Sequence, residues 1–319
     1  MSGDYLTLLA AVAPVFLIIA AGWLIRRAGW LTEEADTSLM RVIVNLLFPC
    51  LIVDATLGNR ALEKAGNVLL APAIGFGTVL LGYALSYLAA PIFGVRDAQE
   101  RRTFAFTTGL FNYGYVPLPL IQQLFDAQTT GILFIYNIGV EAALWTAGIA
   151  LLSGTRLGSI GAGWRRAFSA PVVAILVAIA LHFSGARDWM PQVALSAIHS
   201  LGAAAIPLGL ILTGATFADQ IRNFSVKQSG AISSGACLLR LGVLPIAMLA
   251  LARWLPCPVE LRRVMLVQAA MPCAVIPVLL AKHYGGDPAL AMRIVLATSL
   301  VGLLTIPLWL QIGLRWVAR

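Results

Sequence analysis

Apolar residues run in ten blocks along the chain, each closed by a short stretch of charged residues, glycine or proline. The blocks fall at 5–25, 38–57, 68–93, 103–125, 130–153, 167–184, 192–217, 230–255, 263–283 and 289–317. A helix needs roughly 20 mostly apolar residues to cross a bilayer, and the blocks are of about that length. They are continuous rather than alternating, which excludes an outer-membrane barrel with its ~10-residue alternating segments. The pattern predicts an all-α polytopic membrane protein of ten transmembrane helices.

The stretch around 154–166 divides the chain almost in half, with five spans in 1–155 and five in 156–319. An odd number of spans per half makes the second half enter the membrane in the opposite sense. Any internal repeat is therefore inverted, the architecture of many secondary transporters. Traces of a repeat are visible between the fourth and ninth spans. Glu100, Arg102, Asn112 and Pro117 lie 160 residues before Glu260, Arg262, Pro272 and Pro277. A weaker trace relates Asn45-Leu46-Leu47-Phe48-Pro49 of the second span to Ala203-Ala204-Ala205-Ile206-Pro207 of the seventh.

Composition agrees with the pattern and narrows the function classes. The chain is 60% hydrophobic and 11% charged, with mean hydropathy +0.87, whereas soluble domains carry about 45–50% apolar and about 25% charged residues. Soluble enzymes and secreted disulfide scaffolds are excluded. The net charge of +8 resides in loops, where it reads as a topology signal and not as a nucleic-acid footprint. Loops after odd-numbered spans hold 13 Lys/Arg and the opposite side, termini included, holds 8. Arg26 and Arg27 directly follow the first span, with no Lys or Arg before it. Positive-inside logic then puts both termini on the extracytoplasmic side of the cytoplasmic membrane. Met1–Asp4 has no basic residue, so a cleaved leader is not expected. The four cysteines and three histidines are scattered, so no metal site or cofactor is expected.

Proline inside a helix removes a backbone hydrogen bond and clashes with the preceding turn. Pro117 and Pro119, with Gly114 beside Asn112, predict a break in the fourth span, and Pro272 and Pro277 predict one in the ninth. At membrane depth irregular backbone survives only where protein buries it or water lines it. In inverted repeats the second half-helices start close together and aim their positive N-terminal ends at a shared space, which suits an anion. Pro49 and Pro207 read instead as kinks.

These residues also carry a family resemblance. They are Asn45-Leu46-Leu47-Phe48-Pro49, Phe111-Asn112-Tyr113-Gly114-Tyr115-Val116-Pro117-Leu118-Pro119, and Ile206-Pro207-Leu208-Gly209-Leu210 with Gly214-Ala215. Further on come Arg240-Leu241 with Pro245, Met271-Pro272-Cys273-Ala274-Val275, Tyr284-Gly285-Gly286-Asp287 and Thr305-Ile306-Pro307. In this order, across the whole chain, the sequence resembles short bacterial members of the auxin efflux carrier family. The wider similarity is to sodium/bile-acid symporters. The resemblance implies two inverted five-helix repeats with broken, crossing helices 4 and 9, and a scaffold-plus-transport-domain (elevator) architecture. It also implies efflux or exchange of small organic anions such as malate, malonate or indole-acetate-like acids, and a homodimer. The long central loop of the plant carriers is absent, and where they suggest a second asparagine this chain has Pro272-Cys273.

Two ionisable residues lie deep in spans, Glu141 and Arg240, where a charge costs about 2.5–3.5 kcal/mol on insertion scales. They read either as a mutually neutralising pair or as separate functional groups, with Arg240 on an anionic substrate and Glu141 carrying a coupling proton. Asn112, Tyr113, Gly114, Pro117, Gln268, Pro272, Cys273, Pro277 and Asn45 are the candidate substrate-site residues. Asn137, one turn before Glu141, either lines a pathway or packs. Trp23, Trp30, Trp189, Trp254 and Trp309 fit interfacial belts.

The expected function is a secondary transporter moving small carboxylates by alternating access, with the bilayer as its solvent, a proton or sodium as coupling ion, and no nucleic-acid partner. The alternative is a cation/proton antiporter on a similar scaffold, which wants carboxylates beside the breaks; 107–121 and 267–281 contain none. An enzyme needs a convergent acid, base, nucleophile or metal set, which the sequence does not offer.

Overall fold

The structure, a computed structural model, describes residues 5–155, 170–221 and 230–317. In chain order its main helices are α1 Tyr5–Arg27, α2 Glu33–Thr56, α3 Ala65–Phe93, α4 Ala98–Gly109, α5 Pro117–Leu124 and α6 Ala127–Ser153. The second half holds α7 Ala170–Phe183, α8 Gln192–Asp219, α9 Gly230–Trp254, α10 Val259–Ala269, α11 Ile276–His283 and α12 Pro288–Trp316. Seven of these (α1, α2, α3, α6, α8, α9, α12) are long and apolar enough to cross a membrane. The sixth expected block, 167–184, appears as α7, with 167–169 outside the described residues, as is the division of the chain at 155/156. The fourth and ninth blocks are interrupted, each giving two half-helices.

Helix starts follow local chemistry. Asp97 caps α4 by accepting the Gln99 and Glu100 N–H groups. The bond from Glu100, joined by that from Gln99, holds its carboxyl below the ordinary aspartate value. Asp126 caps α6 through the Thr129 N–H and hydroxyl, both at 2.8 Å. Its other oxygen meets Arg263 of α10 at 2.7 Å. Partial burial alone would push this carboxyl up, but the Thr129 bonds and Arg263 outweigh it and hold it low. The contribution of this latch is complete above about pH 4, the unfolded aspartate value, and is lost as pH falls through the lower folded value.

Interior prolines Pro14, Pro72, Pro207 and Pro307 are accommodated without ending their helices. In α2 a π turn at Ile43–Leu47 precedes Pro49. Two further π turns, Leu144–Gly148 in α6 and Leu239–Val243 in α9, widen the backbone beside Glu141 and around Arg240. Single π turns often mark functional sites.

The helices pack in two groups. In one, α1 lies along α8, and α2 packs on α7 and α8. In the other, α3 pairs with α4 and α6, α10 with α6 and α9, and α12 with α4, α9 and α11. Contacts of α1 with α5 and α12, and of α6 with α2 and α7, join the groups. At the base of the second group Lys64 meets Glu260 at 2.5 Å and Asn67 adds a bond at 3.2 Å. In the first, Arg26 pairs with Asp36 and lies 3.2 Å from Asp219.

Lipid tails are as apolar as leucine, so helices associate in a membrane through close packing at small residues. A Cβ on Gly139 would sit 1.8 Å from the Pro72 carbonyl oxygen, and one on Gly214 would sit 1.9 Å from that of Ile19. These glycines let α3 meet α6 and α1 meet α8 backbone to backbone. Trp309 departs from the interfacial belt expected of it: its indole donates to the Leu241 carbonyl at 2.6 Å, tying α12 to α9. Trp30 and Trp254 remain exposed.

Gly139→Val is expected to destabilise by about 3 kcal/mol, the upper end for overpacking, because the obstacle is backbone. Gly77→Val in the same bundle, where a Cβ meets nothing within 4 Å, is expected to leave stability unchanged. Thermal unfolding of the detergent-solubilised protein compares the two.

Candidate site at the crossing of two interrupted helices

α4 ends at Gly109 and α10 at Ala269, positions 160 residues apart. α5 begins at Pro117, and α11 carries Pro277 in its first turn. The prolines therefore start half-helices rather than kink continuous ones, which suits a residue with fixed φ and no N–H at the first turn. Between the halves, 110–116 and 270–275 are non-helical.

The two interruptions cross and satisfy each other. Phe111 and Cys273 form an isolated antiparallel bridge. The Asn112 N–H donates to the Pro272 carbonyl at 2.8 Å, and the Ala274 N–H donates to the Leu110 carbonyl at 2.9 Å. The Cys273 N–H reaches the Thr298 hydroxyl of α12 at 3.4 Å. Groups freed by the break in one helix are thus taken up by the other.

Side chains from neighbouring helices bind further carbonyls at the breaks. The Tyr113 carbonyl accepts from Asn137 at 2.9 Å and from Gln268 at 3.4 Å. Both amide oxygens, Asn137 Oδ1 and Gln268 Oε1, are buried without a partner among the described residues. Arg240 is fully buried; its Nε donates to the Met271 carbonyl at 3.0 Å and its Nη2 to the Ala269 carbonyl at 3.3 Å. Its guanidinium also stands 5.3 Å over the Phe111 ring. Arg240 thus caps the C-terminal, negative end of α10.

Glu141 lies on the other side of the break. The Tyr113 hydroxyl donates to its Oε1 at 2.9 Å and the Trp145 indole to its Oε2 at 2.8 Å. Glu141 and Arg240 do not pair: each has its own neutral partners, because the crossing supplies Arg240 with carbonyls and Glu141 with donors.

The structure accordingly brings together Asn112, Tyr113, Gly114, Gln268, Pro272, Cys273, Asn137, Arg240 and Glu141, with Pro117 and Pro277 starting the flanking half-helices. Asn112 is half-buried; its Oδ1 accepts from the Gly114 N–H at 3.4 Å, and its amide NH2 has no partner among the described residues. Asn45 is not drawn in: it is exposed and donates to the Arg41 carbonyl of its own helix at 2.9 Å. The expected array of orphan N–H groups is also reduced, since Pro117 and Pro119 remove two donors from the first turn of α5. What remains at that end is chiefly the dipole.

Three participants are not among the candidate site residues. Trp145 is four residues after Glu141, a helical spacing that would have revealed it. Thr298 carries no sequence signal. Tyr115, in the break itself, packs edge-on against Phe48 of α2 at 5.5 Å and against Gly209 of α8, where a Cβ would lie 2.0 Å from the ring. It is the knob by which the crossing touches the first helix group.

Apolar helices of membrane length, with a buried polar crossing among them, define a multi-pass membrane protein. The chain belongs to the membrane transport protein family, the auxin efflux carrier-like family: its model matches twice, over 7–159 and 155–310. An uncharacterised transporter of Methanothermobacter thermautotrophicus is 25% identical over 300 residues, covering 93% of this chain and 96% of that protein. An uncharacterised transporter of Methanocaldococcus jannaschii is 23% identical over 304 residues, covering 92% and 95%.

Arg240→Met leaves two buried carbonyls unpaired and is expected to cost about 1.5–3 kcal/mol, the range for hydrogen bonds to a charged group. Arg240→Lys is expected not to restore it, since a point ammonium lacks the planar fork that serves both carbonyls. Chemical denaturation in detergent reads both.

Proposed function

We propose that the protein is a secondary transporter of small organic anions, with the anion held at the crossing of the two interrupted helices. The observation that carries this is the placement of Arg240. Four helix ends meet at the crossing: the N-termini of α5 and α11, which are positive, and the C-termini of α4 and α10, which are negative. Arg240 offsets the negative end of α10 from within the protein, without a carboxylate partner, so a buried cation stands beside the positive ends of α5 and α11. The half-buried Asn112 adds a free NH2 donor. Transport of an anion also agrees with membership in a transport family.

Mechanistically, we read the ten helical segments as two inverted five-helix repeats, 1–155 and 156–319. The two successive family matches and the shared register of the breaks support this. The first helix group (α1, α2, α7, α8) then serves as scaffold and the second as the moving unit, in an elevator form of alternating access. Tyr115 against Gly209 and Phe48 is a contact such a motion has to break. Both termini face the extracytoplasmic side of the cytoplasmic membrane in this reading.

A cation/proton antiporter needs carboxylates on the broken segments themselves, and none stands at 110–116 or 270–275. Glu141 reaches that region only through Tyr113.

Counterflow in proteoliposomes tests the assignment whatever the driving force is. Vesicles preloaded with malate, malonate or indole acetate are expected to take up the labelled acid. Asn112→Ala, purified and monodisperse, is expected to lose at least about tenfold in exchange rate, the loss for one hydrogen bond to a charged group. Exchange of none of these acids, beside a working control carrier, counts against the anion assignment.

A further inference from the structure

Glu141 sits at a depth where charge is costly, and its arrangement is peculiar in what it lacks. Each carboxylate oxygen accepts one hydrogen bond, from Tyr113 at 2.9 Å and from Trp145 at 2.8 Å, and both donors are neutral. No salt bridge reaches it among the described residues. From α3 the titratable group on this side is Tyr83, and from the break Tyr113 and Tyr115; α5 has no charged residue. The charged residues of α10, Glu260, Arg262 and Arg263, lie at its start, with Lys64 and Asp126. Asp126 is fifteen residues before Glu141, about 22 Å along α6. Asp54, His199 and His182 lie toward that same end of the bundle, and Arg240 of α9 is engaged with the α10 carbonyls.

The second observation is mechanical. α6 grips Tyr113 at both ends: Asn137 holds its backbone carbonyl, and Glu141, one turn further on the same face, holds its hydroxyl. Tyr113 follows Asn112 directly, so a change at Glu141 is transmitted to the segment that receives the anion.

We propose that Glu141 is the proton-binding group of this carrier and that one proton moves with each monoanionic substrate; this rests on the anion assignment above. The charge balance supports it. With Glu141 ionised and Arg240 charged, the empty crossing is neutral overall, and a bound monoanion leaves it at −1 inside a low-dielectric region. Protonation of Glu141 cancels that charge. An O–H bond forms on a Glu141 oxygen with a proton from water on one side of the membrane, and the proton returns to water on the other side. As the acid, Glu141 donates to the Tyr113 oxygen instead of accepting from it, which reverses the bond that pins the break. Linkage makes the effect reciprocal: the anion strengthens proton binding as much as the proton strengthens anion binding.

The test uses the whole protein in proteoliposomes, with potassium and valinomycin clamping the potential at zero and labelled indole acetate as probe, against protein-free vesicles. An inward proton gradient is expected to raise internal indole acetate several-fold faster than in the protein-free vesicles, where only the undissociated acid crosses, and a change in clamped potential is expected not to alter that factor. Glu141→Gln is expected to bring the ratio of exchange rates in acidic and neutral buffer to about one, whatever its absolute rate. Proton uptake by the wild-type protein in lightly buffered detergent, followed with an indicator dye as indole acetate binds, needs no variant; about one proton per bound anion is expected. Counterflow without proton-driven accumulation, or binding without proton uptake, overturns the proposal and leaves the anion carrier standing. Counterflow of no acid overturns both.

Discussion

Lipid offers no hydrogen bonds, and that single constraint shapes the centre of this molecule. A helix interrupted in mid-membrane exposes N–H and C=O groups that cost several kcal/mol each if left unpaired. Here two interruptions lie across each other, and each supplies what the other lacks through the Phe111–Cys273 bridge. Three further carbonyls, of Tyr113, Ala269 and Met271, accept from Asn137, Gln268 and Arg240. Neither break is tenable alone, so the two halves of the chain have to meet at this place. The packing of α3, α6, α9, α10 and α12 around it follows from that requirement.

The same constraint explains why the charged groups of the core sit where they do. Arg240 is tolerated in full burial because the C-terminal carbonyls of α10 and the Phe111 face serve as its counter-group. Glu141 is tolerated because Tyr113 and Trp145 solvate both oxygens. One charge is locked into the frame by its partners, while the other is held in part by the Tyr113 hydroxyl, which can accept as well as donate. That difference, and not the mere presence of a charge in a span, is what the proton-binding role proposed for Glu141 rests on.

Within each group glycines bring backbones together, as at Gly139 with Pro72 and Gly214 with Ile19. Between them the crossing presents an aromatic knob, Tyr115, to a notch at Gly209 and Phe48. The groups also meet closely where a Cβ on Gly131 of α6 would lie 2.8 Å from the Ala55 carbonyl oxygen of α2.

By itself the sequence determined the membrane class, the positions of the apolar helices and the two breaks, because these follow from local properties: length of apolar runs, proline's missing N–H, and a shared 160-residue register. It also singled out Glu141, Arg240 and Asn112, since a polar residue in an apolar block has no local excuse. Only the tertiary structure decided what those residues touch. The pairing of Glu141 with Arg240 was one arithmetic possibility, and the fold gave each a neutral set of partners instead. Asn45 looked equivalent to Asn112 as a polar residue near a proline, yet it turns back on its own helix. Trp309 looked like an interfacial anchor and became an internal tie to Leu241. Partners more than a hundred residues apart, such as Gln268 with Tyr113, depend on which breaks face which helices, and that is settled by packing and by the absence of water, not by any local pattern.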